Sequence, residues 1–280
     1  MTTLDLQSLL NSINGVANQL GFQLINKDFG SLTLVPNETA EFIRNFADHL
    51  VSVDLIRIGG DGDGGYLSPD VFRRVSHCFS PGVDYTATFE SELNRIYGIK
   101  SFMADASVVS APVQSDDFVF IRKFLGNRTQ GDVITLRDWL KMSLEGRERE
   151  LVLQMDIEGG EYDVLTFESE NTLSRFAVMI IEFHSLENLF QRSFLQMVSS
   201  IFEKIYQNFS ICHVHPNNCC GLAALSGIEV PRVMEVTFIR NDLLKDYIIE
   251  GSVNLPHPLD RKNVTKNDEL LLPEIWWKKS

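Results

Sequence analysis

The chain has 280 residues and a formal net charge of −13. That length allows one large domain with an enclosed site, while that charge argues against a nucleic-acid backbone as partner, because affinity for phosphates comes from clustered Lys and Arg. No stretch approaches the roughly 20 apolar residues of a membrane span and the opening residues lack a basic n-region, so a soluble, cytoplasmic protein is the expectation.

Leu4, Leu6, Leu9, Leu10, Ile13, Val16 and Leu20 recur at nearly helical spacing, which predicts an amphipathic packing helix over the first twenty residues. "NETAEFIRNFADHLV" after Pro36 reads as a second helix, capped by Asn37 or Thr39. These two make residues 1–54 a helical extension, packed on one compact unit spanning 55–280. From there apolar runs alternate with helical patterns. Strands are predicted at "SHCFSPG", "IKSFMAD", "FVFIRKFL", "ELVLQMD", "FAVMIIEF", "FSICHVH" and "VMEVTFIR", and helices at "DYTATFESELNRIYG", "TLRDWLKMSL", "EYDVLTFES" and "LENLFQRSFLQMVSSIFEKIYQ". Near-continuous apolar strands imply burial on both faces, hence a mostly parallel sheet between helical layers. Cys78, Cys212, Cys219 and Cys220 form no CxxC pair and are expected as reduced thiols. The tail, closing on Trp276 and Trp277, is either ordered by packing those rings or frayed.

"IGGDGDGGYL" satisfies the GxGxxG pattern of dinucleotide loops, but Asp61 and Asp63 between the glycines would repel a phosphate and no long helix follows. A calcium loop also fails, because the twelfth position from Asp61 is Phe72 instead of a Glu. A tight hairpin and a ligand-contacting turn remain as readings of equal weight.

Ligands of open α/β sheets bind beyond the carboxyl ends of the parallel strands. Here those ends deliver Ser80, Gly82 and Asp84, then Asp105, then Asp156, then Glu182 with His184, then His213 with His215, followed by Asn217 and Asn218. Residues two apart on a strand share a face, so Glu182 pairs with His184 and His213 with His215. Each has a plain structural reading as well: Asp156 as a turn residue, Glu161 as an acid favoured in a helix first turn, each His as a hydrogen-bonded core residue. The clustering of carboxylates beside apolar strands nevertheless calls for a counter-charge: a metal, an imidazolium or a cationic ligand.

"ITLRDWL" (Ile134–Leu140), "LVLQMDIEGGEYDVL" (Leu151–Leu165) and "VMIIEFHSL" (Val178–Leu186) resemble the FkbM-type methyltransferases, and the resemblance extends over roughly residues 70 to 245. It implies a Rossmann-like, class I methyltransferase fold with a seven-stranded sheet, S-adenosylmethionine as cofactor, and transfer to a hydroxyl of a sugar or glycan-like acceptor. By that resemblance the cofactor-binding residues are Ser80, Gly82, Val83, Asp84, Asp105 and Asp156. The glycine-rich ExGxGxG turn of many methyltransferases is replaced here by "FSPGVDYTATFE", with Gly82 alone.

A sugar hydroxyl is a poor nucleophile, so either a general base takes its proton or a divalent cation lowers its pKa. His184 is the expected base, oriented by Glu182 or Asp156. Asp156, His184, His213 and His215 are the expected ligands if magnesium or manganese is used. Asp63, Tyr66, Glu158, Glu161, Asn217 and Asn218 are assigned to the substrate, Glu158 and Glu161 with loop orientation as an alternative. The same Asp and His cluster would serve a metal-dependent hydrolase, which needs no sulfonium donor; an inactive scaffold would have little reason to bury so many polar groups.

Overall fold

The seven apolar runs pair into one sheet: β1 (His77–Pro81), β2 (Lys100–Ala104), β3 (Phe118–Ile121), β4 (Leu151–Met155), β5 (Phe176–Phe183), β6 (Phe209–Pro216) and β7 (Met234–Arg240). The computed structural model describes residues 22–26, 30–146 and 150–279. Across the sheet the order is β3-β2-β1-β4-β5-β7-β6. β3 through β5 are parallel, and β7 lies antiparallel between β5 and β6. This is the seven-stranded, mostly parallel Rossmann-like sheet expected above. Its topological switch point falls between β1 and β4, where connections leave in opposite directions and ligands of such sheets bind.

Alternation sorts each strand between two cores. Leu151, Leu153 and Met155 of β4 join Phe79, Ile181 and Phe238 under α1 (Pro36–Asp48), α3 (Leu136–Ser143), α4 (Glu161–Phe167) and α5 (Arg192–Tyr206). Val152, Val178 and Ile180 face α2 (Thr88–Tyr97) and the hairpin Ile56–Ile58 with Tyr66–Ser68 on the other side. The glycine-rich loop is thus a hairpin turn, with Gly59 and Gly64 at positive φ (97° and 77°).

Several local expectations change. The helix predicted within the first twenty residues lies outside the described residues, and a hairpin of Phe22–Asn26 with Gly30–Thr33 precedes α1. Neither Asn37 nor Thr39 caps α1. Its N-cap position is Val35, with Pro36 opening the helix, and the Thr39 hydroxyl reaches the carbonyls of Val35 and Leu189, each at 2.8 Å. The long helix predicted from Leu186 is broken: a 3-10 turn, Leu186–Phe190, ends at Gln191, which is extended and bridges Leu34. Cys219 and Cys220 are joined as a disulfide, while Cys78 and Cys212 are free and buried.

The tail is ordered. Trp276, 1% exposed, donates its indole N–H to the Glu229 carbonyl at 3.0 Å and meets Phe46 edge-on at 5.3 Å. Among the described residues no helix is long and apolar enough to cross a membrane.

Candidate active site

The tips of β1, β2 and β4 surround a cavity of about 510 Å³ at the switch point. Gly82, Val83 and Asp84 line it from β1, Asp105 from β2 and Asp156 from β4, while Asp63 and Tyr66 wall it from the hairpin. Gly82 has φ +82°, and a Cβ there would collide with the Asp156 carbonyl oxygen. Only glycine lets these two tips close up.

Asp105 is 6% exposed and fixed by donors from the β1 tip and from its own loop: Asp84 N–H to Oδ2 at 3.0 Å, and the Ser107 N–H and Oγ–H to Oδ1 at 2.8 and 2.6 Å. Ser80 does not reach the cavity. It lies beneath it, its hydroxyl between the carboxyl of Glu90 and the amide oxygen of Gln154 (2.5 Å to the latter). Glu90 and Gln154 take its place in the lining. Sequence reasoning missed both because they sit inside a helix and a strand, with no motif to mark them.

Beside the cavity, Asp156 meets a second group. His184 Nδ1 lies 3.2 Å from Glu161 Oε1, and its Nε2 lies 3.4 Å from Glu158, 3.8 Å from Asp156 and 4.0 Å from Glu182. Glu182 and His184 therefore face the same way, as strand alternation requires. The partner that orients His184 is Glu161, in place of the predicted Glu182 or Asp156. Glu161, fully buried, also accepts the N–H groups of Ile157 (3.1 Å) and Gly159 (3.2 Å), tying down the loop in which Glu158 and Gly159 have φ of 55° and 100°.

Burial pushes the Asp156 carboxyl up to about 7; the charges of Glu158, Glu161 and Asp63 add to this and His184 opposes it. For His184, burial alone would lower the pKa, but the hydrogen bond and charge of Glu161, with Asp156 and Glu158, raise it overall. Glu182 is pushed well up by burial and by the charges of Asp156 and Glu235. Asp156 Oδ1, Glu161 Oε2 and Glu182 Oε2 are buried without a hydrogen-bond partner.

His213 and His215 belong elsewhere. His213 Nε2 is 3.0 Å and His215 Nδ1 3.8 Å from the carboxylate of Asp260, contributed by the C-terminal segment. Among the described residues, the group of His, Cys, Asp and Glu that could share a metal ion is Asp156, Glu161 and His184, with ligand atoms within 4.8 Å of one another. The predicted set is corrected accordingly. The reason is topological: β7 separates β5 from β6, placing the β6 histidines two strand spacings, about 10 Å, from the β5 edge. The intervening position is Glu235, register partner of both Glu182 and His215.

Asn217 donates to Glu182 Oε1 at 2.9 Å. Asn218 spends its amide on the C-terminal segment, donating to the carbonyls of Val264 and Asp268 and accepting from the Val264 N–H. Asn263 of that segment donates to Glu235 at 2.6 Å. Asp260 and Asn263 were hidden in a tail that sequence reading set apart from the site.

Residues 92–208 match the family model described as the methyltransferase FkbM domain. Over this stretch, less than half of its length, the chain is similar to FkbM methyltransferase domains. The match supports a methyltransferase, as the motif resemblance implied. The FkbM match contains Asp105, Asp156, Glu161, Glu182 and His184, whereas Gly82, Glu90 and the β6–β7 pair lie outside it. Similar solved structures are the Methanococcus jannaschii fibrillarin pre-rRNA processing protein (10% identity, 78% of this chain and 82% of that chain, TM-score 0.37) and a human methyltransferase 10 domain containing protein (10%, 80% and 94%, TM-score 0.32). A complex of MtNAS with S-adenosylmethionine is also similar (12%, 60% and 56%, TM-score 0.27). No curated protein matches the sequence.

Proposed function

We propose that the protein is an S-adenosylmethionine-dependent O-methyltransferase acting on a hydroxyl of a sugar or glycan-like acceptor. The observation that carries this is the position of Asp156, which belongs both to the strand-tip cavity and to the group formed with Glu161 and His184. The cavity volume falls within the usual range for small-molecule sites, and its acidic lining suits a sulfonium. When bound, the cofactor supplies the methyl group.

Asp105, with both oxygens already fixed, is the acceptor for ribose hydroxyls, and Gly82 lets the ligand lie against backbone. Glu161, as a carboxylate, can only accept, so His184 Nδ1 carries the hydrogen and Nε2 keeps its lone pair. Nε2 is then the atom that takes the acceptor's hydroxyl proton, and Asp156 and Glu158 beside it stabilise the resulting imidazolium. Positioning the hydroxyl in line with the donor supplies much of the remaining rate. Asp63, Tyr66 and Glu158, all on the cavity wall, are placed to meet acceptor hydroxyls; Asn217 acts through Glu182, and Asn218 holds the C-terminal segment.

Asp156, Glu161 and His184 also suit a divalent cation, since two orphaned buried carboxylate oxygens and an imidazole form a hard-donor set; when bound, the ion would supply positive charge favouring an ionised alcohol.

The test is calorimetry with S-adenosylhomocysteine, followed by labelled methyl transfer to a panel of sugars by wild type, Asp156→Asn and His184→Ala. Binding, with turnover in wild type alone, is expected. A metal-dependent hydrolase predicts no binding, and wild-type rates in both variants would end the catalytic assignment.

A further inference from the structure

Glu90 is a carboxyl for which neither the motif resemblance nor the catalytic group accounts. It is on α2, 3% exposed, and lines the floor of the cofactor cavity. Its hydrogen-bond partner is the Ser80 hydroxyl, and no described cation pairs with it. The titratable group its charge acts on is Cys78 of β1, and Asp63, Tyr66, Asp84, Asp105, Asp156 and Glu158 line the same cavity. None of these is basic, and among the described residues no Lys, Arg or His lines the cavity. An ionised carboxylate so buried and without a counter-ion is costly, and such a group holds its proton instead. Burial does raise Glu90 above the ordinary carboxylate range, against the lowering effect of its hydrogen bond to Ser80.

The cofactor proposed above ends in an amino acid, whose ammonium needs an anionic partner once it leaves water. The floor has one built in. We propose that Glu90 receives the ammonium of the cofactor's amino-acid end, and that the proton it carries in the empty pocket passes to solvent as the ion pair forms. Resting on the methyltransferase reading, this adds a positioning residue and a linkage: cofactor binding releases a proton that originates on α2. The step is balanced, with the carboxylic O–H broken, the proton taken up by buffer, and the ammonium keeping its three hydrogens. Ser80 then serves to hold the carboxyl toward the cavity.

The experiment is calorimetry of S-adenosylhomocysteine and of 5′-methylthioadenosine, which lacks the amino-acid end, in buffers of differing ionisation enthalpy. In wild type below neutral pH, the first ligand should release close to one proton more than the second. Glu90→Gln should abolish that difference and weaken S-adenosylhomocysteine by about 10- to 100-fold, the usual effect of losing a charge-assisted hydrogen bond, leaving methylthioadenosine unchanged. Equal proton release by the two ligands in wild type would overturn the proposal, even if Glu90→Gln did not fold. Unchanged affinity of that variant for both ligands would overturn it too. Failure of wild type to bind either nucleoside would instead remove the cofactor reading on which it rests.

Discussion

Asp260→Asn should cost stability in a pH-dependent way that can be worked out from the clamp between the C-terminal segment and β6. Burial alone would lower the pKa of His215, but the Asp260 carboxylate 3.8 Å away and the charge of Glu235 raise it from 6.5 to about 9. A pKa higher in the folded state contributes stability that is fully present below the unfolded value and is lost as pH rises through the folded one. Both side chains are nearly inaccessible, 6% for His215 and 5% for Asp260, so little is lost to solvent screening. The whole rise, to which Glu235 and Glu269 also contribute, corresponds to roughly 3 kcal/mol, which bounds the share of Asp260 from above. Asp260 records the same interaction from the other side: burial would raise it, but His213 and His215 hold it far below the usual range, so its contribution is lost as pH falls through that depressed value. The two shifts are one contact and are counted once. Scanning calorimetry at pH 6 to 10 should show Asp260→Asn melting several degrees below wild type at pH 6, at most about 6–12 °C taking about 2–4 °C per kcal/mol. The gap should narrow to little by pH 10. Parallel melting curves across that range would refute the reasoning.

Gly82→Ala should lose binding of S-adenosylhomocysteine and several degrees of melting temperature, because the new Cβ collides with the Asp156 carbonyl at a φ that disfavours alanine; unchanged binding by calorimetry would contradict it. Asp105→Asn should weaken the same ligand by about tenfold or more, the loss of charge-assisted acceptance from ribose, with the melting curve as a control for its three internal hydrogen bonds. Glu161→Gln should lower kcat more than it weakens cofactor binding, since it frees His184 Nδ1 and loosens the 156–160 loop that forms one wall of the cavity. Trp276→Ala should cost about 3–5 kcal/mol in chemical denaturation, because it empties a core position between α1 and the β-hairpin carrying Glu229.

The strands were legible because burial on both faces leaves unbroken Val, Ile, Leu and Met runs, as in Leu151–Met155 and Phe176–Phe183. So were the tips that carry Gly82, Asp105 and Asp156, since a parallel sheet points them one way. What periodicity could not convey was the order of the strands. β7 enters between β5 and β6, and that insertion takes His213 and His215 away from His184 and gives them to Asp260. Glu161 read as a first-turn acid, and nothing local indicates that its carboxylate turns back to His184 Nδ1. Glu90 looked like one polar residue among others on α2, and its burial depends on a hairpin more than twenty residues earlier in the chain. The break at Gln191 likewise arises from a distant partner, Leu34.

The most direct measurement is a crystal structure of the protein soaked with S-adenosylhomocysteine and a magnesium or manganese salt. The account predicts the nucleoside between Gly82, Asp105 and Asp156, its amino group on Glu90, with His184 Nε2 turned toward the sulfur's open side. Density for the ligand away from the tips of β1, β2 and β4, or an empty cavity at saturating ligand, would contradict it.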